Sequence, residues 1–431
     1  MQKVKLINIG CKVNFAETST LKTKLEEKGF TITEKFSDAE IVLINTCTVT
    51  NNADSDCRAA IRRAKRESNG AFVGVLGCYA QLNSEKLANM PEVNAVYGIK
   101  EKFQIPELLG SQLRESNKSI EVSELISLNF DFAYSADNLA RSRCFLKIQD
   151  GCDYRCTYCT IPNARGNPRS IPFEQLPEIF REVSDKGFRE IVLSGINLGE
   201  YNSKNMYYFE DVLHLIAEND FGVRFRISSI EPNLINKKII DYVCNSQSIC
   251  KHLHIPLQSG SNKILKLMKR RYTSERLFKD ILSIKSINPD VCIGLDVITG
   301  FPNETDQDFQ QTYKFIENLP VSYLHVFTYS ERRNTPAADF PNKVPMKIRK
   351  ERTNILKQLS NSKLLAFYRG QIGKIHEFLP EKYSENEKIQ FGHTSNYLNC
   401  KIISDRKLEN SFYLVQINEI DTDNKIIATL K

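Results

Sequence analysis

Apolar residues fall along this chain in two rhythms: short runs that read as strands, and stretches of 3.6-residue spacing that read as helices. Residues 4–9, 40–45 and 71–76 are apolar and β-branched, and the stretches 17–28 and 55–66 have helical spacing. Strands alternating with helices predict a parallel, doubly wound sheet. A polar stretch from Ser111 to Asp137 has little periodicity, and then the alternation resumes. Residues 145–148, 190–193, 224–227, 252–255, 293–298 and 323–327 are six candidate strands, each followed by a polar or glycine-bearing loop and a helical stretch. Six βα units predict a partial (βα)6 barrel, with function at the carboxyl ends of its strands. From about Gln371 the segments 373–378, 397–403, 412–420 and 425–430 alternate between polar turns, and predict a small antiparallel barrel of four or five strands. The fold class is thus α/β, with a doubly wound domain at 1–115, a connector at 116–137, a barrel core at 138–368 and a small β-barrel at 369–431.

The cysteines carry the chemistry. Cys152, Cys156 and Cys159 follow the first core strand in a Cys-x3-Cys-x2-Cys order, with Tyr158 just before the last. Thiolates are the usual ligands of iron–sulfur clusters, and three of them on a [4Fe–4S] cubane leave one iron open to a small molecule. Zinc is the competing metal, but a structural zinc takes four ligands, and no Cys or His lies within ten residues after Cys159. A second set is dispersed. Cys11, Cys47 and Cys78 each stand just past one of the first three strands, and sites in open α/β sheets form beyond the carboxyl strand ends. Gly10 and Gly77, lacking a Cβ, let backbone pass close to a bulky group there. Three buried packing thiols is the alternative reading of this set, since free Cys is among the most buried residue types. Cys57, Cys144, Cys244, Cys250, Cys292 and Cys400 show no such pattern and read as packing residues.

Length and charge narrow the picture further. A chain of 431 residues is too long for one ordinary core and predicts two or three domains. No apolar run approaches the ~20 residues of a membrane span. The apolar stretch at the N-terminus is too short and too polar for a signal peptide. The expectation is a cytoplasmic protein without a membrane partner, where thiols stay reduced and twelve cysteines point to metal or redox chemistry. The net charge of +7 lies centrally: residues 1–136 hold 17 basic and 17 acidic side chains, residues 366–431 hold 9 and 9, and the segment between holds 33 and 26. Three basic runs stand out: Arg58, Arg62, Arg63, Lys65 and Arg66; Lys263, Lys266, Lys269, Arg270 and Arg271; Lys343, Lys347, Arg349, Lys350 and Arg352. Any one reads as a solvated helix face, but three together fit a polyanionic partner such as RNA. In the small barrel, Phe391, His393, Tyr397, Phe412 and Tyr413 are candidates to stack on bases, with core packing as the alternative for each.

The cysteine loop resembles that of radical S-adenosylmethionine (SAM) enzymes, in which SAM occupies the open iron. Over essentially its full length the chain resembles the radical-SAM methylthiotransferases. Beside the six cysteines, the resemblance rests on Ile161-Pro162-Asn163-Ala164-Arg165-Gly166, Leu193-Ser194-Gly195-Ile196-Asn197-Leu198-Gly199, Ser228-Ser229-Ile230-Glu231-Pro232, the run from His252 to Ser261, and Asp296-Val297-Ile298-Thr299-Gly300-Phe301-Pro302. It implies an N-terminal methylthiotransferase domain, a radical-SAM core and a C-terminal TRAM domain. It also implies two [4Fe–4S] clusters, one that binds SAM on Cys152, Cys156 and Cys159, and an auxiliary one on Cys11, Cys47 and Cys78. Tyr158, Ser194, Gly195, Glu231, Gln258 and Gly300 become the expected SAM contacts, and the last five end or follow core strands. Glu231 has a loop ion pair with Arg224 or Arg226 as its alternative. Arg165 and Arg169 are candidates for substrate phosphate or the cofactor carboxylate, with ion pairing as theirs.

Members of this family differ in substrate. The runs from His325 to Ser330 and from Thr335 to Ala338 resemble the branch that acts on N6-threonylcarbamoyladenosine at position 37, in the anticodon loop of tRNA. The alternatives are N6-isopentenyladenosine in tRNA and an aspartate of a ribosomal protein. Carbon 2 of adenine bears an sp² C–H with no acidic character, so the implied reaction is radical. SAM serves as radical source and methyl donor, and a sulfur held at the auxiliary cluster is transferred. A low-potential electron donor and a sulfur source are the further implied partners. Rival readings are a sulfur-inserting radical-SAM enzyme that does not methylate, and a non-enzymatic iron–sulfur protein that binds RNA or carries electrons.

Overall fold

The computed structural model describes residues 2–48, 51–113, 118–125, 128–135 and 142–431. Residues 116, 117, 126, 127, 136 and 137 of the expected connector, and the expected core boundary at 138, lie outside these. The N-terminal sheet contains β1 (Lys3–Asn8), β2 (Thr31–Ile32), β3 (Ile41–Thr46), β4 (Phe72–Gly77), β5 (Ala95–Tyr97) and β6 (Ser119–Glu121). Its order is β2-β1-β3-β4-β5-β6, every pairing parallel. Successive side chains of a strand point to opposite faces, and β3 shows this directly. Ile41 and Leu43 pack with Leu21 and Leu25 of α1 (Lys12–Glu27), while Val42 and Ile44 pack with Ile61 and Ala64 of α2 (Asn51–Glu67). The doubly wound sheet expected from the sequence is thus present.

Helix α1 starts at Lys12, five residues before the apolar spacing begins, because its first turns bury polar side chains. Asn14 and Glu17 are each 1 % exposed. The remaining helices of this part are α3 (Cys78–Leu82), α4 (Ser84–Ala88) and α5 (Ile105–Gln112).

In the core, β7 (Ala133–Tyr134) runs antiparallel along β8 (Arg143–Lys147). After the short antiparallel pair β9 (Gln149–Asp150) and β10 (Arg169–Ser170) come β11 (Glu190–Ser194), the small hairpin β12 (Asn202–Ser203) and β13 (Tyr207–Tyr208), and β14 (Arg224–Ile227). Then follow β15 (His252–Gln258), β16 (Cys292–Thr299) and β17 (Tyr323–Thr328). All six expected core strands are observed, as two parallel triplets, β8-β11-β14 and β15-β16-β17, linked by a bridge between Phe225 and Ile249. Leu146, Leu193, Ile227, Ile255 and Leu295 enter the largest apolar core. The alternate positions are polar: Lys147, Glu190, Arg226, His254 and Asp296 look away from it.

The C-terminal strands β18 (Ile375–Ser384), β19 (Ile389–Thr394), β20 (Asn399–Ile403), β21 (Tyr413–Ile420) and β22 (Ile426–Leu430) close a barrel in the order β18-β19-β20-β22-β21. Four pairings are antiparallel, and β20 with β22, through Cys400 and Ile426, is parallel. Five strands cannot close with every neighbour antiparallel, so one parallel pair is a matter of parity. The barrel docks through charge, mostly buried on the core side and partly exposed on its own. Glu190 accepts from Arg224 and Arg226 at 2.7 Å each, Arg224 also reaches Glu377 at 3.1 Å, and Arg143 reaches Glu381 at 2.8 Å. Three of the five barrel aromatics serve this interface. Tyr397 lies 4.6 Å from the His252 ring and beneath Arg226, His393 stacks on Tyr397, and Phe412 lies beneath Arg224. Among the described residues no helix is long and apolar enough to cross a membrane. Cys57, Cys144, Cys244, Cys250, Cys292 and Cys400 are buried, as expected of packing residues.

Candidate active site

The loop after β9 brings three thiols together, and each sulfur accepts one N–H. The backbone N–H of Tyr154 donates to Cys152 Sγ at 3.4 Å, Arg270 Nη1 to Cys156 Sγ at 3.4 Å, and the N–H of Ile161 to Cys159 Sγ at 3.5 Å. Hydrogen bonds to sulfur are one of the levers that tune iron–sulfur sites, so this donor set fits a cluster with three protein ligands. Burial pushes all three thiols up, Cys159 to about 12. Ligation by a metal would deprotonate them.

The dispersed cysteines converge because polar side chains tie the strand ends together. Asn14 Nδ2 donates to the carbonyls of Ile9 (3.2 Å) and Thr46 (3.1 Å), joining the ends of β1 and β3. Thr46 Oγ1 donates to the Leu76 carbonyl at 2.6 Å, joining β3 to β4. Gly10 has φ +135°, and a Cβ there would stand 2.9 Å from Cys47 Cβ, so Cys11 and Cys47 sit side by side only with glycine between them.

Helix α6 (Ile161–Arg165), which directly follows the first cysteine loop, reaches across to this second set. Arg165 is fully buried, and its Nε donates to Cys78 Sγ at 3.2 Å. Its Nη1 donates to Glu17 and Asp150 at 2.9 Å each, and Nη2 donates to Asn14 at 2.8 Å and Glu17 at 3.0 Å. Lys102 and Lys147 also bond Glu17, and Lys147 (3.4 Å) and Arg169 (2.8 Å) bond Asp150. Four cations are therefore hydrogen-bonded to two carboxylates, with Asp131 near the edge of the network. Arg165 and Arg169 are network residues, which decides for the ion-pair alternative.

Of the expected SAM contacts, Glu231 stands best placed. It pairs with Arg270, the guanidinium that touches Cys156, and not with Arg224 or Arg226; burial pushes its carboxyl up against that attraction. Gln258 ends β15 at a register shift with φ +61°, a conformation that non-glycine residues hold mainly where the surroundings require it. Gly195 abuts Gln149, whose side chain donates to the carbonyls of Asp150 and Gly151 and accepts from the N–H of Asn197 at 2.8 Å. Gly300, φ +74°, packs against Arg349. Tyr158 meets Phe301 edge-on at 6.4 Å between ring centres, and Ser194 turns its hydroxyl to the Val192 carbonyl at 3.1 Å.

These features agree with what known proteins share. Residues 146–316 match the Radical SAM superfamily, and residues 3–98 match a family described as Uncharacterized protein family UPF0004. The chain is 37 % identical to Threonylcarbamoyladenosine tRNA methylthiotransferase MtaB of Aquifex aeolicus, over 93 % of this chain and 96 % of that protein. It is also 37 % identical to the MtaB of Bacillus subtilis, over 92 % and 90 %. This chain belongs to the radical-SAM methylthiotransferases. A further relative, tRNA-2-methylthio-N(6)-dimethylallyladenosine synthase of Fusobacterium nucleatum, is 32 % identical over 98 % of both chains. Among solved structures, the radical SAM methyltransferase TsrM of Kitasatospora setae shares the fold, with a TM-score of 0.57 at 14 % identity over 78 % of this chain and 77 % of that one.

As a radical-SAM enzyme it uses SAM and a [4Fe–4S] cluster, and two residues at that site escaped the sequence reading. Arg270 lay within a basic run and read as solvated. Glu200 lies just past the matched run that ends at Gly199, and burial together with the neighbouring Asp153 pushes it up to about 8. Asp153 and Cys152, which it meets, come from a separate loop, so no local pattern singles it out.

Proposed function

We propose that this enzyme attaches a methylthio group to carbon 2 of N6-threonylcarbamoyladenosine at position 37 of tRNA, in the cytoplasm. The single observation that carries the reading is the 3.2 Å contact from Arg165, on the helix that follows Cys159, to Cys78. It joins two three-cysteine sets across two segments of the chain, as a reaction in two parts requires. Cys152, Cys156 and Cys159 would hold a cluster that would supply one-electron reduction of SAM and so radical chemistry, and Cys11, Cys47 and Cys78 would hold one that would supply a place for the sulfur to be transferred.

The chain's own residues do the rest. Glu231 and Arg270 form a buried zwitterionic pair beside Cys156, suited to the amino and carboxylate groups of SAM. Phe301, Tyr329 and Phe340 pack with Tyr158 into an apolar wall that excludes water next to the loop. Net positive charge around Arg165 favours an anionic ligand set at Cys78, because uncompensated buried charge is costly. The domain limits 1–115, 138–368 and 369–431, with a TRAM-like barrel last, belong to the same proposal. So do a low-potential electron donor and a sulfur source as partners.

The choice of nucleoside is supported by the MtaB relatives, at 32 to 37 % identity, against 28 to 32 % for the dimethylallyladenosine enzymes. The test is nucleoside mass spectrometry of tRNA from cells lacking the gene and from cells with it restored. Loss and return of 2-methylthio-N6-threonylcarbamoyladenosine is the expected result. An unchanged level overturns the assignment and makes the isopentenyl nucleoside or a ribosomal protein the next substrate to test.

A further inference from the structure

Eight of the fifteen cations in the three basic runs are engaged by the protein's own acids or carbonyls. Arg63 and Arg66 bond Glu67, and Lys65 donates to the carbonyls of Gly70 and Ala71. Lys263 pairs with Asp308, Arg270 with Glu231 and Arg271 with Asp153. Arg349 pairs with Glu331, and Arg352 with Glu304 and Asp306. Of the other seven cations of these runs, two meet. Arg58 of the first run and Lys343 of the third line one cleft of about 580 Å³, together with Lys86 and Arg333. Among the described residues none of these four cations is in an ion pair, and Arg58 makes one bond, to Tyr79 Oη at 3.0 Å. The two carboxylates of the cleft, Asp54 and Glu331, are already held by Arg332 and Arg349.

The cleft's position decides its use. Its walls include Thr48, Tyr79 and Thr160, the residues that directly follow Cys47, Cys78 and Cys159. It therefore opens where the two cysteine sets face each other, and it presents four cations and neutral amides such as Asn163 without a free acid. The C-terminal barrel offers no equal: its own concavity sets Glu381 and Glu385 against Lys382 and Lys407.

We propose that this cleft is the phosphate-binding groove for the RNA strand flanking the reacting nucleoside, with Arg58, Lys86, Arg333 and Lys343 as its phosphate contacts. The proposal rests on tRNA being the substrate. It moves the main electrostatic grip from the small barrel to the seam between the N-terminal sheet and the core.

The experiment measures Kd against salt for the full-length, cluster-loaded enzyme and a tRNA anticodon stem-loop carrying N6-threonylcarbamoyladenosine. Each lost phosphate contact lowers the log–log salt slope by about 0.7 to 0.9. Arg333→Ala with Lys343→Ala should therefore lower the slope by about 1.4 to 1.8, so that between ~50 and ~200 mM salt the wild type loses about tenfold more affinity than the variant. The exchange Arg333→Lys with Lys343→Arg should keep the slope, because a phosphate groove reads charge. Lys407→Ala, on the barrel, should leave it unchanged. If the double alanine variant keeps the wild-type slope, or if Lys407→Ala lowers it by a full contact's worth of about 0.7 to 0.9, the groove is misplaced while the tRNA reading stands. If the wild type binds neither this stem-loop nor whole tRNA, both readings fall.

Discussion

Replacing Arg165 by methionine is the most informative single change in the protein. Methionine keeps much of the side chain's length and apolar volume but removes five hydrogen bonds: one to Cys78, two to Glu17, one to Asp150 and one to Asn14. Glu17 and Asp150 then remain buried with Lys102, Lys147 and Arg169, which cannot rearrange into the space of a planar fork. An exposed ion pair contributes about 0 to 1 kcal/mol. Breaking a buried one by removing a partner costs about 3 to 5 kcal/mol, and that range applies here because Arg165, Glu17 and Asp150 are each at most 1 % exposed.

The loss should be local, since every partner belongs to the seam between the N-terminal sheet and the core. Hydrogen exchange on the apoprotein is therefore the assay. Amides in α1 and in residues 102–104 should exchange roughly two to three and a half decades faster, while those of the C-terminal barrel keep their wild-type rates. On the loaded enzyme, SAM cleavage should outlast methylthio transfer, because the first cysteine loop retains all three of its N–H···S contacts. Exchange rates in α1 within a factor of about five of wild type, equivalent to roughly 1 kcal/mol, would refute the claim that this network fastens the two segments.

Cys156→Ala should abolish SAM cleavage, whereas Cys47→Ala should spare cleavage and stop methylthio transfer; a folded Cys47→Ala protein lacking both activities sinks the division of roles. Glu190 is fully buried, and although burial opposes it, Arg226 and then Arg224 hold its carboxyl well below the ordinary value of 4.5. Its contribution to stability is thus complete above pH 4.5 and is lost as pH falls toward the lower folded value. Glu190→Gln should cost about 3 to 5 kcal/mol at neutral pH, with the gap to wild type narrowing in acid; urea unfolding across pH checks both, and a gap that is constant with pH contradicts the argument. Gly77 has φ +99°, and a Cβ there would lie 2.6 Å from the Thr46 carbonyl oxygen. Gly77→Ala should therefore lower the melting temperature and the iron bound per chain, and normal values of both would show that the strand end has room to move.

The parts of this protein that were legible in sequence are those whose cause is local. Strands β3 and β4 show as apolar runs because both faces of a doubly wound parallel sheet are covered, and the cysteine loop shows because its three cysteines lie within eight residues. The start of α1 was not legible, since Asn14 and Glu17 are buried for polar reasons that hydrophobic spacing does not register. Arg165 is the sharper case. Its partners lie 15, 87, 148 and 151 positions away, so a one-dimensional reading offered substrate phosphate, the cofactor carboxylate and a surface ion pair, and nothing local to choose among them. The barrel aromatics were open in the same way: base stacking and packing were both readings of Tyr397 and Phe412, and the guanidiniums of Arg226 and Arg224 lie over them. Charge runs mislead for the converse reason, because a run counts cations without their acids. Only after Glu67, Asp153, Glu231, Glu304, Asp306, Asp308 and Glu331 are matched to theirs do Arg58 and Lys343 stand out as unpaired cations of two different runs that share one cleft, beside the residues that follow Cys47, Cys78 and Cys159. Net charge is thus informative about a partner only as the part that folding leaves unpaired, and in this chain Arg58 and Lys343 of that part border the same seam that Arg165 holds shut.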